Sequence, residues 1–91
     1  MTRPDLKGIS LKSLETFEVM ARTGSLSDAA EEMGLSVPAA SQQLRNLSLA
    51  VGVELIDTRR RPIGLTPAGR LFLKRVQVAL GALRAGQKDL S

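Results

Sequence analysis

Residues 27–46 read SDAAEEMGLSVPAASQQLRN, and their pattern decides the fold. Leu26, Ala29, Ala30 and Met33 recur at helical spacing with Asp28, Glu31 and Glu32 on the opposite side, which predicts a short helix over 27–33. Gly34 ends it, because a left-handed backbone is cheap only for glycine. Ser36 is the expected N-cap of the next helix, and Pro38 sits in its first turn, where a missing N–H costs nothing. That helix covers about 37–51, turns Ala40, Leu44 and Leu47 inward, and stops before Gly52. The small pair Ala29-Ala30 lets the two helices cross steeply around a tight turn at 33–36, which is the arrangement of a helix–turn–helix.

The second helix of the pair carries the functional signal. Ser41, Gln42, Arg45 and Asn46 form a face that is neutral-polar or cationic, and no acid occurs between 33 and 53. A face that merely meets solvent mixes both signs; one that meets phosphates and base edges does not.

Toward the N-terminus, residues 1–10 (MTRPDLKGIS) contain Pro4 and Gly8 without periodicity and are expected to form a mobile arm, with Ser10 as a helix cap. A first helix is predicted over 11–22, with Leu11, Leu14, Phe17 and Ala21 facing a core and Glu15, Glu18 and Arg22 facing away. Thr23-Gly24-Ser25 stops it.

Toward the C-terminus, Val53-Glu54-Leu55-Ile56 reads as a short strand, residues 57–64 as an arginine-rich turn, and 63–65 as a returning strand. Arg59-Arg60-Arg61 would occupy the tip of this hairpin. Three adjacent guanidinium groups repel one another unless an anion lies close, and a wing of this kind suits a DNA backbone or minor groove. Thr66-Pro67 is a strong helix start, and a fourth helix should run to about 85–88. It carries Phe72, Val76, Ala79 and Leu83 at 4-3-4 spacing, flanked by Leu73 and Leu80, with Leu71 and Val78 on another face. One small core does not cover so much apolar circumference, so Phe72, Val76, Ala79, Leu80 and Leu83 are expected to meet a second copy in a homodimer. Gly81 and Gly86 each weaken the helix by about 1 kcal/mol relative to Ala, so its end is expected to fray.

The expected fold is mainly α: a winged helix–turn–helix over 11–66 with a short two-stranded β wing, and a long C-terminal linker and dimerisation helix over 67–91.

Composition narrows the function. Ninety-one residues allow one small domain. There is no Cys and no His, which removes disulfides, thiol nucleophiles, Cys/His zinc sites and imidazole acid–base chemistry. Asp28, Glu31 and Glu32 lie on a short helix, where solvation and favourable charge near the N-terminus explain them. No enzymatic activity and no cofactor is expected. No apolar run approaches the ~20 residues that span a bilayer, and no signal peptide opens the chain, so a cytoplasmic location is expected. Residues 1–41 hold four basic and six acidic side chains (−2), whereas residues 42–91 hold nine and three (+6). The basic half points to a polyanion, either duplex nucleic acid or an anionic membrane. Aromatics make up only 2%, which leaves no stacking platform for single strands.

The run Phe17, Ala21, Gly24-Ser25-Leu26, Ala29-Ala30, Leu35-Ser36, Pro38-Ala39, Ser41, Gln43-Leu44 and Leu47 resembles the N-terminal domain of LysR-type transcriptional regulators. The likeness continues through Gly52-Val53, Leu55, Arg61-Pro62, Leu65-Thr66, Ala68-Gly69 and Leu73, covering about 11–85. The N-terminal domain of molybdate-responsive regulators shares the GS…AA and LT..G parts of the pattern.

The resemblance to LysR-type regulators implies sequence-specific binding of double-stranded DNA. Linker helices would pair so that two recognition helices reach neighbouring major grooves. Carried over by position, Ser36, Val37, Pro38, Ser41 and Gln42 would lie at bases or the adjoining backbone. Gln43 and Arg45 would anchor phosphates, and Arg59, Arg60 and Arg61 would lie on the wing. Such regulators usually bear a C-terminal effector-binding domain, for which this chain has no room. Val37 stands where the family commonly has Gln, Gln42 where it often has Arg, and Thr58 where it often has Arg. Ile56 replaces the common Phe, and Ser48 the usual glutamate. Gln suits adenine where Arg suits guanine, so the implied base preference is shifted. A different reading of the same chain is a winged-helix module that binds an acidic protein.

Overall fold

The computed structural model describes residues 6–91. Every helix among the described residues starts at a hydroxyl side chain that caps the backbone N–H three residues on, satisfying a donor that a helix start leaves orphaned. Helix α1 is Leu11–Thr23, capped by Ser10, whose Oγ accepts from Ser13 N at 3.0 Å while Ser13 Oγ accepts from Ser10 N at 3.0 Å. Helix α2 is Leu26–Met33; it begins one residue earlier than expected because Ser25 Oγ accepts from Asp28 N. Helix α3 is Val37–Val51, capped by Ser36 through Ala39 N, with Pro38 in its first turn. Helix α4 is Pro67–Leu90, capped by Thr66 through Gly69 N at 3.0 Å. Between α3 and α4 lies an antiparallel two-stranded sheet, β1 (Ile56–Asp57) and β2 (Gly64–Leu65), in register Ile56 to Leu65 and Asp57 to Gly64.

The core collects from all elements: Phe17, Met20, Leu47 and Leu55 are fully buried, with Ala29, Leu44, Val76 and Leu80 packed around them. Phe17 and Phe72 pack with ring centroids 5.9 Å apart at 48°. At Gly34 the backbone takes φ 66°, and its N–H and that of Leu35 return to the last carbonyls of α2, including Leu35 N to Ala30 O at 2.8 Å. This hairpin of α2 and α3 is the helix–turn–helix expected from residues 27–46.

Four expectations are corrected. Leu11 is exposed, whereas Phe17 is buried as expected, together with Ser13, Thr16, Val19 and Met20. The helix packs on α2 and α3 and also on α4, so the covered face is wide; Leu14 packs partly against the core, and Leu11 lies outside it. Residues 53–55 do not pair as a strand: Leu55 N donates to Ser48 Oγ and Leu55 O accepts from Thr66 N, which leaves the ladder only at 56–57. Helix α4 does not end at 85–88 but runs to Leu90. Gly81 and Gly86 keep negative φ within it, and Arg84 Nη2 donates to Glu18 Oε1 at 3.0 Å, pinning this half to α1. Finally, part of the expected mobile arm is a turn, with Ile9 N donating to Leu6 O and the Ile9 side chain packed on the core. The remainder of that arm, residues 1–5, lies outside the described residues.

Among the described residues no helix is long and apolar enough to cross a membrane.

Candidate nucleic-acid interface

Helix α3 divides its side chains between core and solvent. Ala40, Leu44, Leu47 and Ser48 are buried, while Val37, Pro38, Gln42, Arg45 and Asn46 are exposed. The exposed side holds the polar residues expected to read DNA. Arg45 Nη2 donates to Gln42 Oε1 at 3.2 Å, and Gln42 Nε2 donates to Asn46 Oδ1 at 2.8 Å. Ser36 is exposed, but its Oγ accepts from Ala39 N, so its first task is to start the helix.

Ser41 is half-buried and looks into a cleft of about 230 Å³ between α3 and the wing. The apolar floor of this cleft includes Leu26, Leu44 and Ile63, and its rim includes Arg45 and Thr58. The wing therefore stands directly beside the exposed side of α3. Thr58, noted in the sequence only as a departure from the family pattern, faces the same space as Arg45.

Gln43, expected to anchor phosphate, is half-buried and reaches toward α1. Its Oε1 lies 2.8 Å from Thr16 Oγ1 in a hydrogen bond, and Thr16 is fully buried on α1. A turn of about 100° per residue rotates Gln43 away from Gln42 and toward α1. Its amide ties α3 to α1.

The three arginines of the wing are exposed but not equivalent. Arg59, in the turn, pairs with Asp57 at the end of β1: Arg59 Nε donates to Asp57 Oδ1 at 3.1 Å, as does its backbone N–H. These hydrogen bonds hold the Asp57 carboxyl below its ordinary range and raise the Arg59 guanidinium above its own. Part of the expected charge at the tip is thus neutralised inside the chain. Arg61 Nη1 donates to the carbonyls of Thr58 (2.7 Å) and Arg60 (2.9 Å), folding back to brace the turn. Arg60 lies against Gly64 across the hairpin.

The base of the wing is locked to α4. Thr66 N donates to Leu55 O, Thr66 Oγ1 donates to Glu54 O, and Gly69 N donates to Thr66 Oγ1. A β-carbon on Gly69 would collide with the Leu55 carbonyl. This close approach explains the Leu65-Thr66-x-Ala68-Gly69 run in physical terms: a strand residue, a cap, and a gap where backbone meets backbone.

Of the five residues expected to meet a second copy, Val76 and Leu80 are buried in the subunit's own core and Phe72 packs on Phe17. That expectation is corrected for Val76 and Leu80, which the subunit's own core already covers; Phe72 is half-buried. Ala79 and Leu83 are exposed, as are Leu71 (68%) and Val78 (69%).

A polar, acid-free helix seated beside a cationic hairpin defines a winged helix–turn–helix nucleic-acid-binding domain. Known proteins agree. The family "Bacterial regulatory helix-turn-helix protein, lysR family" matches residues 11–70. The chain is 44% identical over 88 residues to the HTH-type transcriptional activator CmpR of Synechocystis, covering 93% of this chain and 29% of CmpR. It superposes on Vibrio fischeri DarR, solved in complex with DNA, with a TM-score of 0.84 and 36% identity, covering 90% of this chain and 28% of DarR. On the CbnR DBD–DNA complex the TM-score is 0.79 at 30% identity, covering 89% of this chain and 94% of that one. The chain belongs to the lysR family of bacterial regulatory helix–turn–helix proteins, which are transcriptional regulators and not enzymes. It spans 29% of the length of CmpR.

Proposed function

We propose that this domain binds double-stranded DNA in a sequence-specific manner, as the DNA-contacting part of a transcriptional regulator working in the cytoplasm. Residues 37–46 of α3 enter the major groove, with Val37, Pro38, Ser41 and Gln42 near base edges and Arg45 near phosphate. The wing rests on the adjoining backbone or minor groove through Arg60, with Arg59 and Arg61 beside it. The observation that carries this reading is the outer side of α3, where Pro38, Gln42, Arg45 and Asn46 are exposed together without an acid among them. DarR and the CbnR domain, both described as bound to DNA, share this fold.

Two copies then pair through α4. Leu71 and Val78 lie one heptad apart on the helix, opposite Val76 and Leu80, and Ala82 and Ala85 continue the same stripe. With Ala79 toward its edge, this stripe leaves apolar surface that a single subunit does not cover, while Leu83 lies beside Leu11 and Leu80 on the side toward α1.

Mobility shift of the chain with a random-sequence duplex pool, followed by selection of bound duplexes, tests the function. Binding is expected to fall steeply with salt, because phosphate contacts release counterions. Selected sites are expected to show two related half-sites. No shift even at low salt would overturn the reading.

A further inference from the structure

Gln42, Arg45 and Asn46 share the outer side of α3, and their hydrogen bonds run in one direction. Arg45 Nη2 donates to Gln42 Oε1, and Gln42 Nε2 donates to Asn46 Oδ1. A guanidinium has five N–H donors and no acceptor, so an amide beside it must present its oxygen. That choice turns the Gln42 nitrogen toward Asn46, which meets it with a carbonyl. A solitary glutamine amide flips between two nearly isosteric orientations; here only one satisfies both neighbours.

The bonds leave Gln42 with capacity to spare. Its oxygen keeps a second lone pair and its nitrogen a second N–H. An acceptor and a donor side by side, in fixed order, match the N6–H donor and N7 acceptor of adenine. Guanine offers O6 and N7, both acceptors, and sets O6 against the Gln42 oxygen. A freely flipping amide could also turn its nitrogen toward guanine O6 or thymine O4, so losing the fixed order widens the range of bases tolerated.

We propose that Asn46 is a positioning residue for base recognition: together with Arg45 it holds the Gln42 carboxamide in the single orientation that reads adenine, without touching the base itself. This rests on the reading of α3 as the helix that enters the major groove.

The test is competition binding of the full chain to duplexes in which each base pair of a selected half-site is changed in turn. Gln42→Ala is expected to lose discrimination at one base pair. Asn46→Ala is expected to weaken discrimination at that same base pair by about two- to tenfold, the worth of one side-chain hydrogen bond. The salt slope should not shift, since asparagine carries no charge to pair with a phosphate. Alanine is a better helix former than asparagine, so the variant keeps α3 intact, which circular dichroism checks. Asn46→Asp offers only acceptors and still orients the Gln42 N–H. It should retain discrimination while its added negative charge lowers affinity for every duplex alike.

Wild-type discrimination in Asn46→Ala, loss at a different base pair, or equal loss in Asn46→Asp would each overturn the proposal. If Gln42→Ala alters no base pair, the base-reading role of Gln42 fails and the proposal with it. If Gln42→Ala behaves as expected and Asn46→Ala does not, only the positioning role is lost.

Discussion

On the proposed reading, Gln42 and Arg60 serve two different kinds of contact with DNA. Gln42 projects from α3 with free hydrogen-bonding capacity, so Gln42→Ala should lose about 1–3 kcal/mol of discrimination at one position per half-site while non-specific affinity holds. Arg60 lies exposed on the wing, and Arg60→Ala should weaken all duplexes alike. Its log–log salt slope should flatten by about 0.9, the release from one phosphate contact. Binding isotherms across salt concentrations for both variants measure this; matching behaviour of the two would refute the division. Gln43, next in sequence to Gln42, points toward α1, where its Oε1 accepts from Thr16 Oγ1. Adjacent residues on a helix point about 100° apart, so neighbours in sequence need not share a task.

At the scale of elements, the wing is held at both ends. At its base, Gly69→Ala would drive a β-carbon into the Leu55 carbonyl. Either α4 or the wing must shift, at a cost of about 1–3 kcal/mol by analogy with overpacked cores. Thermal unfolding should show the loss, and DNA affinity should fall with it. Nearer the tip, the Arg59 hydrogen bonds depress the Asp57 carboxyl. For a carboxyl lowered on folding, the stabilising contribution is present above the unfolded value of about 3.9 and disappears as pH falls through the folded value. An NMR titration of the Asp57 carboxyl should therefore show a midpoint below the ordinary range, and Arg59→Ala should raise it part of the way back, because the backbone N–H at 59 still donates to the carboxylate. An unchanged midpoint in Arg59→Ala would sink this account. The pair is solvent-exposed, so its effect on overall stability is small.

At the scale of the whole molecule, α4 has two sides with different duties. One completes the core through Phe72, Val76 and Leu80; the other presents Leu71 and Val78 outward. Val78→Glu should leave the fold and its thermal unfolding nearly unchanged while shifting the chain toward monomer in sedimentation velocity. Binding to a two-half-site duplex should then lose its advantage over a single half-site, because that advantage comes from linking two recognition helices. A dimer that persists in Val78→Glu would move the interface elsewhere on α4.

The helix–turn–helix, its caps at Ser10, Ser36 and Thr66, and the acid-free side of α3 were legible in the sequence. Each depends on spacing along one helix or on the chemistry of one turn, which neighbouring residues decide locally. The tertiary structure alone decided that Val76 and Leu80 face inward, that Gln43 serves Thr16, and that Gly69 must lack a side chain. Those outcomes depend on which elements come to lie alongside, and an apolar or polar residue type does not itself say which neighbour will cover it. Periodicity reveals that a helix has a buried side; only packing chooses the partner.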